Sequence, residues 1–214
     1  MRMRSDVLVA NKRNALLVSV SFSIALLLVR IIHTGSLQYT FLLWNLFLAA
    51  VPFLISSGME AYGAARWCLP LWILGVVVWI TYLPNAPYIL TDLYHLPEGG
   101  APMWFDLILI LSFAWNGLTM GFQSIRQMQD MLLARFPRWP IQLYVFPVMM
   151  LCGWGIYIGR YLRWNSWDLI AQPVPLLQQT GQMVFHPLEH SHAWGFTLCM
   201  GLFIHLLYSL KFNK

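Results

Sequence analysis

Long apolar runs separated by short polar segments dominate the pattern along this chain. A helix needs about 20 largely apolar residues to cross the hydrocarbon core of a bilayer. By that measure the pattern predicts six membrane-spanning helices, which are Ala15–Ile32, Phe41–Ile55, Leu69–Leu83, Trp104–Phe122, Ile141–Ile158 and Ala193–Leu210. We therefore expect an all-α, polytopic membrane protein in which residues 1–214 form a single transmembrane domain with short interfacial helices in the outer loops.

The composition agrees with this pattern. Of the 214 residues, 59% are hydrophobic and 10% are charged. Soluble domains carry about a quarter charged residues, so this chain has too little charge to cover a water-facing surface. Cys68, Cys152 and Cys199 lie in or beside apolar runs, which predicts neither a disulfide framework nor a thiolate zinc site. The lipid bilayer is the expected partner, and the net charge of +5 is no sign of a nucleic-acid partner, because its distribution decides its meaning.

The basic residues indicate an orientation. If the N-terminus is cytoplasmic, 10 of the 13 Lys and Arg residues fall in inner segments, and only Arg30, Arg160 and Arg163 lie on the outer side. Because Lys and Arg collect in cytoplasmic loops, this distribution predicts that both termini are cytoplasmic. No small-residue cleavage site follows the first apolar run, so we expect that run to be a retained helix and not a signal peptide.

The stretch Tyr82–Leu96 ends the third apolar run and carries a dense set of polar residues. Two of its residues precede a proline, which disfavours helical geometry and predicts that the third helix stops near Tyr82. Asn85 is then expected to cap a short interfacial helix that has Pro87 in its first turn.

In such a helix Tyr88, Asp92 and His95 would share one face, at positions i, i+4 and i+7. One interpretation is catalytic, because Asp92 could orient the His95 ring and raise its basicity as a general base. The other interpretation is an interfacial turn whose polar side chains are simply hydrated. The spacing leaves both interpretations open.

The end of the fifth apolar run and the residues after it form a second polar segment. Gly155 and Gly159 make a small-xxx-small pair, which lets a neighbouring helix approach closely. Further along, Asn165 lies three residues before Asp168, a spacing typical of an N-cap that opens a helix. The segment therefore predicts close helix packing followed by another short outer helix.

Two arginines of this segment, Arg160 and Arg163, lie on the outer side, which otherwise carries few basic residues. We therefore expect them to have partners. A guanidinium fork suits a phosphate or carboxylate ligand, which favours an anion-binding site. An internal salt bridge to one of the outer carboxylates, Asp92, Asp106 or Asp168, explains the same residues equally well.

A third cluster precedes the last span. His186, His190 and His192 lie close together with Glu189, and these residue types could ligate a divalent cation. Their spacing matches no common zinc signature, and Pro187 prevents a regular helix through all three histidines. A hydrated loop is therefore the favoured interpretation, and the sequence indicates no particular cofactor.

Several of these motifs resemble a known family. They are Leu83–Tyr88 (LPNAPY) with Thr91, Asp92 and His95 after it, the triplet Trp104-Phe105-Asp106, and the segment Gly155–Asp168 (GIYIGRYLRWNSWD). Together they resemble a family of bacterial multi-pass membrane proteins that is described as a domain of unknown function. The resemblance implies a protein of the bacterial cytoplasmic (inner) membrane, and it carries over no catalytic residue.

We therefore expect a polar site on the outer face. Its candidate catalytic residues are Asp92 and His95, and its candidate binding residues are Asn85, Tyr88, Asp106, Arg160, Arg163, Asn165 and Asp168. The favoured function is binding of an anionic lipid headgroup, a glycolipid or a loop of a partner protein. The alternative is a membrane enzyme acting on a lipid-linked or envelope substrate. A transporter is less favoured, because the predicted spans carry no charge at mid-depth.

Overall fold

The computed structural model describes residues 2–63, 68–98, 100–136 and 142–212. Within these ranges the chain is helical, which confirms the all-α class. The α-helices are α1 (Arg2–Thr34), α2 (Phe41–Tyr62), α3 (Leu69–Tyr82), α4 (Asn85–Tyr88), α5 (Met103–Arg135), α6 (Gln142–Tyr161), α7 (Asp168–Ala171), α8 (Pro173–Phe185) and α9 (Ser191–Phe212), and a 310 helix (Ile89–Glu98) lies between α4 and α5.

Five helical segments of the described chain are long and apolar enough to cross a membrane. They are Asn14–Thr34, Phe41–Tyr62, Leu69–Leu96, Met103–Arg135 and Ser191–Phe212. These segments confirm a polytopic membrane protein. Helix α6 overlaps the predicted span Ile141–Ile158, whose first residue lies outside the described ranges, so the count of six stays a prediction.

Helix α5 is longer than its predicted span, which ended at Phe122, because the polar residues beyond that point are bonded inside the protein. The Ser124 hydroxyl accepts a hydrogen bond from the Trp79 indole at 2.6 Å and donates to the Pro52 carbonyl at 2.9 Å. The Tyr208 hydroxyl donates to the Gln129 side chain at 2.7 Å. Satisfied polar groups cost little to bury, so the helix continues through them to Arg135.

The same helix is the centre of the fold. Buried apolar side chains of α5 belong to two clusters, one shared with α3, α6 and α9 and the other with α1, α2 and the 310 helix. Exposed apolar side chains cover the outer surfaces of the surrounding helices, as expected for helices that face lipid. Helix α5 thus holds the two halves of the bundle together.

The LPNAPY segment packs against α5 without intervening side chains. A Cβ atom added at Gly117 would lie 2.6 Å from the Ala86 carbonyl oxygen, and one added at Gly121 would lie 2.7 Å from the Ala86 Cβ. Such distances are shorter than any ordinary contact, so α4 can lie this close only because both positions of α5 are glycine.

Helix α6 approaches the other side of the segment through the small-xxx-small pair identified in the sequence. A Cβ added at Gly155 would lie 2.6 Å from Pro84 Cγ, and one added at Gly159 would lie 3.1 Å from the Tyr88 ring. The pair therefore allows a close approach, as predicted, and its neighbour is the turn and short helix that follow α3.

Helix α3 ends at Tyr82, as the prolines predicted. The prediction that Asn85 caps α4 is wrong, because Asn85 is the first residue of that helix and Pro84 occupies the cap position. The Asn85 amide instead donates to the Tyr82 carbonyl at 2.9 Å, which satisfies a carbonyl left free by the end of α3. The α-helical period assumed for Ala86–Leu96 is also wrong, since the chain continues from Tyr88 as a 310 helix.

Gly117→Ala tests the contact between α4 and α5. The new Cβ meets backbone, which cannot rotate away, so we expect a loss of about 1–3 kcal/mol in the free energy of unfolding. Gly195→Ala in α9 is the matched control, because its Cβ would meet no atom within 4 Å. Alanine also favours a helix, so the control should keep or gain stability. Thermal unfolding in detergent micelles, followed by tryptophan fluorescence, measures both, and equal midpoints would contradict the contact.

Candidate functional site

The end of α6 and the 310 helix meet at a buried ion pair. Arg160 Nη2 lies 2.5 Å from Asp92 Oδ1, and the side chains are 14% and 1% exposed. The same guanidinium donates to Thr91 Oγ1 from both Nε (2.9 Å) and Nη2 (2.7 Å). The Arg160 guanidinium therefore makes its hydrogen bonds within the protein. This is the internal salt bridge to Asp92, one of the two alternatives for this arginine.

The 310 geometry explains which side chains Arg160 contacts. Residues i and i+3 of a 310 helix line up, because it has three residues per turn. Thr91 and Tyr94 consequently both face Arg160, as does Tyr88 at the end of α4. The guanidinium lies 4.5 Å from the Tyr88 ring centre and 5.9 Å from that of Tyr94. Cation–π contact and hydrogen bonding together surround the charge.

The second oxygen of Asp92 and the ring of His95 complete this group. Asn45 of α2 donates to Asp92 Oδ2 at 2.7 Å. His95 Nε2 lies 3.3 Å from Arg160 Nη1. Because a guanidinium has no acceptor, Nε2 must accept in this contact and a neutral ring carries its proton on Nδ1. The expected residues Tyr88, Asp92, His95 and Arg160 are thus brought together.

Asp106 belongs to a neighbouring ion pair. Arg30 Nε lies 2.7 Å from Asp106 Oδ1, and both side chains are almost fully buried. The Arg30 guanidinium also lies 4.1 Å from the Tyr39 ring centre, and the Tyr39 hydroxyl donates to the His95 carbonyl at 2.8 Å. Asp106 is therefore connected to the group around Asp92 through Arg30 and Tyr39, and its ion pair joins α1 to α5.

A cavity of about 380 Å³ lies beside the Asp92–Arg160 pair, between α2, α3, α6 and the segment that carries α7 and α8. Its lining residues are Trp44, Asn45, Leu48, Ile80, Thr81, Pro84, Asn85, Tyr88, Leu151, Trp154, Gly155, Ile158, Gly159, Trp164, Asn165, Ser166, Leu169, Leu176, Leu177 and Thr180. None of these residues carries a charge. The size suits part of a lipid or another small amphiphile.

Two more of the expected residues, Asn85 and Asn165, line this cavity. The Asn85 amide donates to Ser166 Oγ at 2.8 Å, which ties the turn after α3 to the segment after α6. The Asp168 carboxylate accepts from the backbone N–H of Asn165 at 2.7 Å. The predicted short outer helix exists as α7, but the prediction that Asn165 caps it is wrong, because the capping position is Trp167.

The remaining expected residues lie at the surface, except His190, which is half-buried. Arg163 is exposed and has a left-handed backbone with φ of 60°, so it forms the turn that ends α6. His186 is exposed, and the His192 ring packs 5.2 Å from that of Tyr161. Among the described residues, no group of three or more His, Cys, Asp or Glu side chains is arranged to hold a metal ion.

Tyr94 and Tyr161 form an exposed pair next to Arg160. Their hydroxyls lie 3.3 Å apart. This hydrogen bond, helped by desolvation, raises the pKa of Tyr161, so its phenol stays neutral over the physiological pH range.

Sequence reasoning missed three functional neighbours, Thr91, Asn45 and Arg30. Thr91 follows Tyr88 by three residues and shares the predicted face, but its spacing alone did not single it out. Asn45 and Arg30 lie in spans far from the motif along the chain, so no spacing rule connects them to it. Arg30 did carry a signal, since a basic residue at the outer end of a span calls for a buried partner.

Comparisons with known proteins give one match. The family model described as "Protein of unknown function (DUF1361)" matches residues 44–207. This range includes Asn45, the LPNAPY segment and Arg160. No curated protein and no solved structure matches the chain.

Arg160→Gln tests the buried pair. It leaves the Asp92 carboxylate in place without its cation, so we expect a loss of about 3–5 kcal/mol in unfolding free energy. Adding Asp92→Asn removes the orphaned charge, so the double variant should lose less than the sum of the single losses, by about 0.5–3 kcal/mol.

The matched control is Arg126→Gln. Arg126 pairs with Asp130 at 3.3 Å, but both side chains are about half exposed, so the loss should stay below about 1 kcal/mol. Chemical unfolding in micelles measures the parent protein, the single variants Arg160→Gln, Asp92→Asn and Arg126→Gln, and the double variant. Strictly additive losses at positions 92 and 160 would show that the pair does not act as a unit.

Proposed function

We propose that this chain, which belongs to the DUF1361 family, binds a membrane amphiphile in the cavity beside the Asp92–Arg160 pair. The chain is an integral membrane protein, since five of its helical segments can span a bilayer. The cavity is the observation that carries the proposal, because it combines an apolar, open rim with polar groups on its wall.

The rim of the cavity favours a ligand that comes from the bilayer. Leu151 of α6 and Leu177 of α8 line it, and their side chains are 50% and 62% exposed. Trp44 of α2 is similarly exposed. A water-soluble ligand would have to cross this apolar rim, whereas an acyl or prenyl chain can lie along it.

The polar wall of the cavity can bind a headgroup. Asn85, Asn165 and Ser166 lie on one side of the cavity, where α4 and the segment after α6 meet. Hydroxyl and amide groups fix the orientation of a ligand whose apolar part supplies most of the contact area. An amphiphile would therefore bind with its headgroup near α4 and its chain between α3 and α6.

The geometry supports binding better than catalysis by Asp92 and His95. Arg160 contacts both residues, and the Nε2 lone pair of His95 faces its guanidinium. A general base needs that lone pair for its substrate. The group around Arg160 instead forms a rigid wall next to the ligand site.

We further propose that the protein lies in the bacterial cytoplasmic membrane as one transmembrane domain, with both termini in the cytoplasm and the cavity at the outer face. The charge pattern supports this orientation, because 10 of 13 basic residues then fall on the inner side. The two apolar clusters share α5, which supports a single domain.

Filling the cavity tests the binding function. Leu151→Trp adds volume at the rim, so the purified protein should retain less co-purified amphiphile, with a loss of about tenfold in affinity. Leu202→Trp is the matched control, since Leu202 of α9 is 51% exposed and lies outside the lining. Mass spectrometry of extracted lipid, counted per protein, gives the result. Equal retention by the two variants, or none by the parent protein, would overturn the proposal.

Accessibility of single cysteines tests the orientation. In a chain whose Cys68, Cys152 and Cys199 are replaced by alanine, Arg163→Cys should react with a membrane-impermeant thiol reagent on intact cells. Ala134→Cys is exposed near the far end of α5, about 42 Å along the helix from Asp106, and should react only after the cells are broken. The reverse pattern would invert the proposed topology.

A further inference from the structure

We infer that the headgroup bound in this cavity is uncharged and rich in hydroxyls, as in the sugar of a neutral glycolipid, and that it is not a phosphate. The inference rests on the proposed function and names the ligand class of the same site. It follows from the charge balance around the cavity, from the hydrogen-bonding groups on its wall, and from the rings at its rim.

The lining offers no charge to an ionic ligand. A phosphate that leaves water for a half-enclosed site needs cations or several N–H donors, since an unpaired buried charge is very costly. Arg160 is adjacent to the lining through Tyr88. Its charge is already balanced by Asp92 and its N–H groups are shared by Asp92, Thr91 and His95. Arg163 precedes the lining residue Trp164, but it is exposed and does not itself line the cavity.

A second carboxylate, Asp168, makes the site less favourable for an anion. Asp168 accepts hydrogen bonds from the backbone N–H of Asn165 and from its side-chain amide at 3.4 Å. Because Asn165 lines the cavity, this negative charge lies close to the headgroup position. It would repel a phosphate, whereas a neutral hydroxyl can donate to groups of this kind.

The wall instead matches a polyol. Asn85 and Asn165 use their amide N–H groups within the protein, and their carbonyl oxygens accept no hydrogen bond from the described residues. These oxygens are acceptors for hydroxyl donors. Tyr88, Thr81 and Ser166 add hydroxyls to the lining. A sugar, which presents hydroxyl donors and acceptors on most of its carbons, can satisfy such a wall without any charge.

Indole rings at the rim complete the match. Trp44 and Trp164 both line the cavity, and the Trp164 N–H is held by Gln179 at 2.7 Å. Trp44 is 52% exposed and lies in edge contact with Trp167, with ring centres 6.4 Å apart. The flat C–H face of a sugar packs on such rings, and tryptophan suits a site with one apolar and one wet side.

The test is a competition in lipid nanodiscs that contain the full-length protein and equal amounts of monoglucosyl-diacylglycerol and phosphatidylglycerol with identical acyl chains. After exchange into detergent, native mass spectrometry counts each lipid retained per protein. We expect the glycolipid to exceed phosphatidylglycerol by at least about tenfold, because an unpaired buried charge costs more than that factor.

Trp44→Leu should lower glycolipid retention about fivefold through the lost ring contact. Trp104→Leu is the matched control, because Trp104 is 63% exposed near the start of α5 and does not line the cavity. Soluble methyl glucoside, added at the same concentration as the glycolipid, should displace none of it. Full displacement would show that the site binds free sugars and would overturn the inference that its ligand is a glycolipid.

The outcomes separate this inference from the proposed function. If the parent protein retains phosphatidylglycerol and Leu151→Trp does not, the proposal of amphiphile binding stands and the inference of an uncharged headgroup is overturned. Retention of neither lipid, or retention that Leu151→Trp leaves unchanged, would overturn both. Selective glycolipid retention that depends on both Leu151 and Trp44 supports both.

Discussion

The close packing of the LPNAPY segment between α5 and α6 is the contact on which the rest of the site depends. Gly117 and Gly121 on one side, and Gly155 and Gly159 on the other, remove the side chains that would hold these helices apart. In a bilayer such contacts replace the hydrophobic effect as a source of helix association, because lipid is as apolar as the helix surfaces. This packing fixes the position of the segment between the two helices. The position of the 310 helix is fixed as well, because it follows the segment directly.

Two buried ion pairs depend on this placement. Asp92 meets Arg160 across 68 residues of sequence, and Asp106 meets Arg30 across 76. Each pair is surrounded by further hydrogen bonds or an aromatic ring, which a buried charge requires if it is to remain ionised. Such pairs specify one arrangement of the helices, because a shift of either helix would leave a charge without its partner. They join α1 to α5 and α6 to the 310 helix, at the same end of the bundle.

Those pairs also explain why the cavity beside them has an uncharged lining. Arg160, which could have bound an anion, is satisfied within the protein, and the polar groups on the cavity wall are amides, hydroxyls and indoles. In the proposed binding function the ion pairs and the cavity have separate roles. The charges fix the position of the wall, and neutral polar groups are left to face a ligand.

The sequence by itself determined the class, most of the spans and the end of α3. These properties depend on local quantities, namely the length of an apolar run against the thickness of a bilayer and the steric effect of two prolines on the residues before them. Local spacing also identified Tyr88, Asp92 and His95 as candidates for one polar group, and the charge pattern identified Arg160 as a residue that needs a partner.

Only the tertiary structure decided which carboxylate each arginine meets, that Thr91 and Asn45 belong to the group, and that a cavity lies beside it. Asp106 was expected in the same site, but it pairs with Arg30, because that choice is set by how α1 packs on α5 and not by spacing along the chain. The change from an α-helical to a 310 period after Tyr88 was also not predicted from the sequence. A period of three in place of 3.6 brings Tyr94 into line with Thr91, so an assumed α-helix could not place Tyr94 beside Arg160.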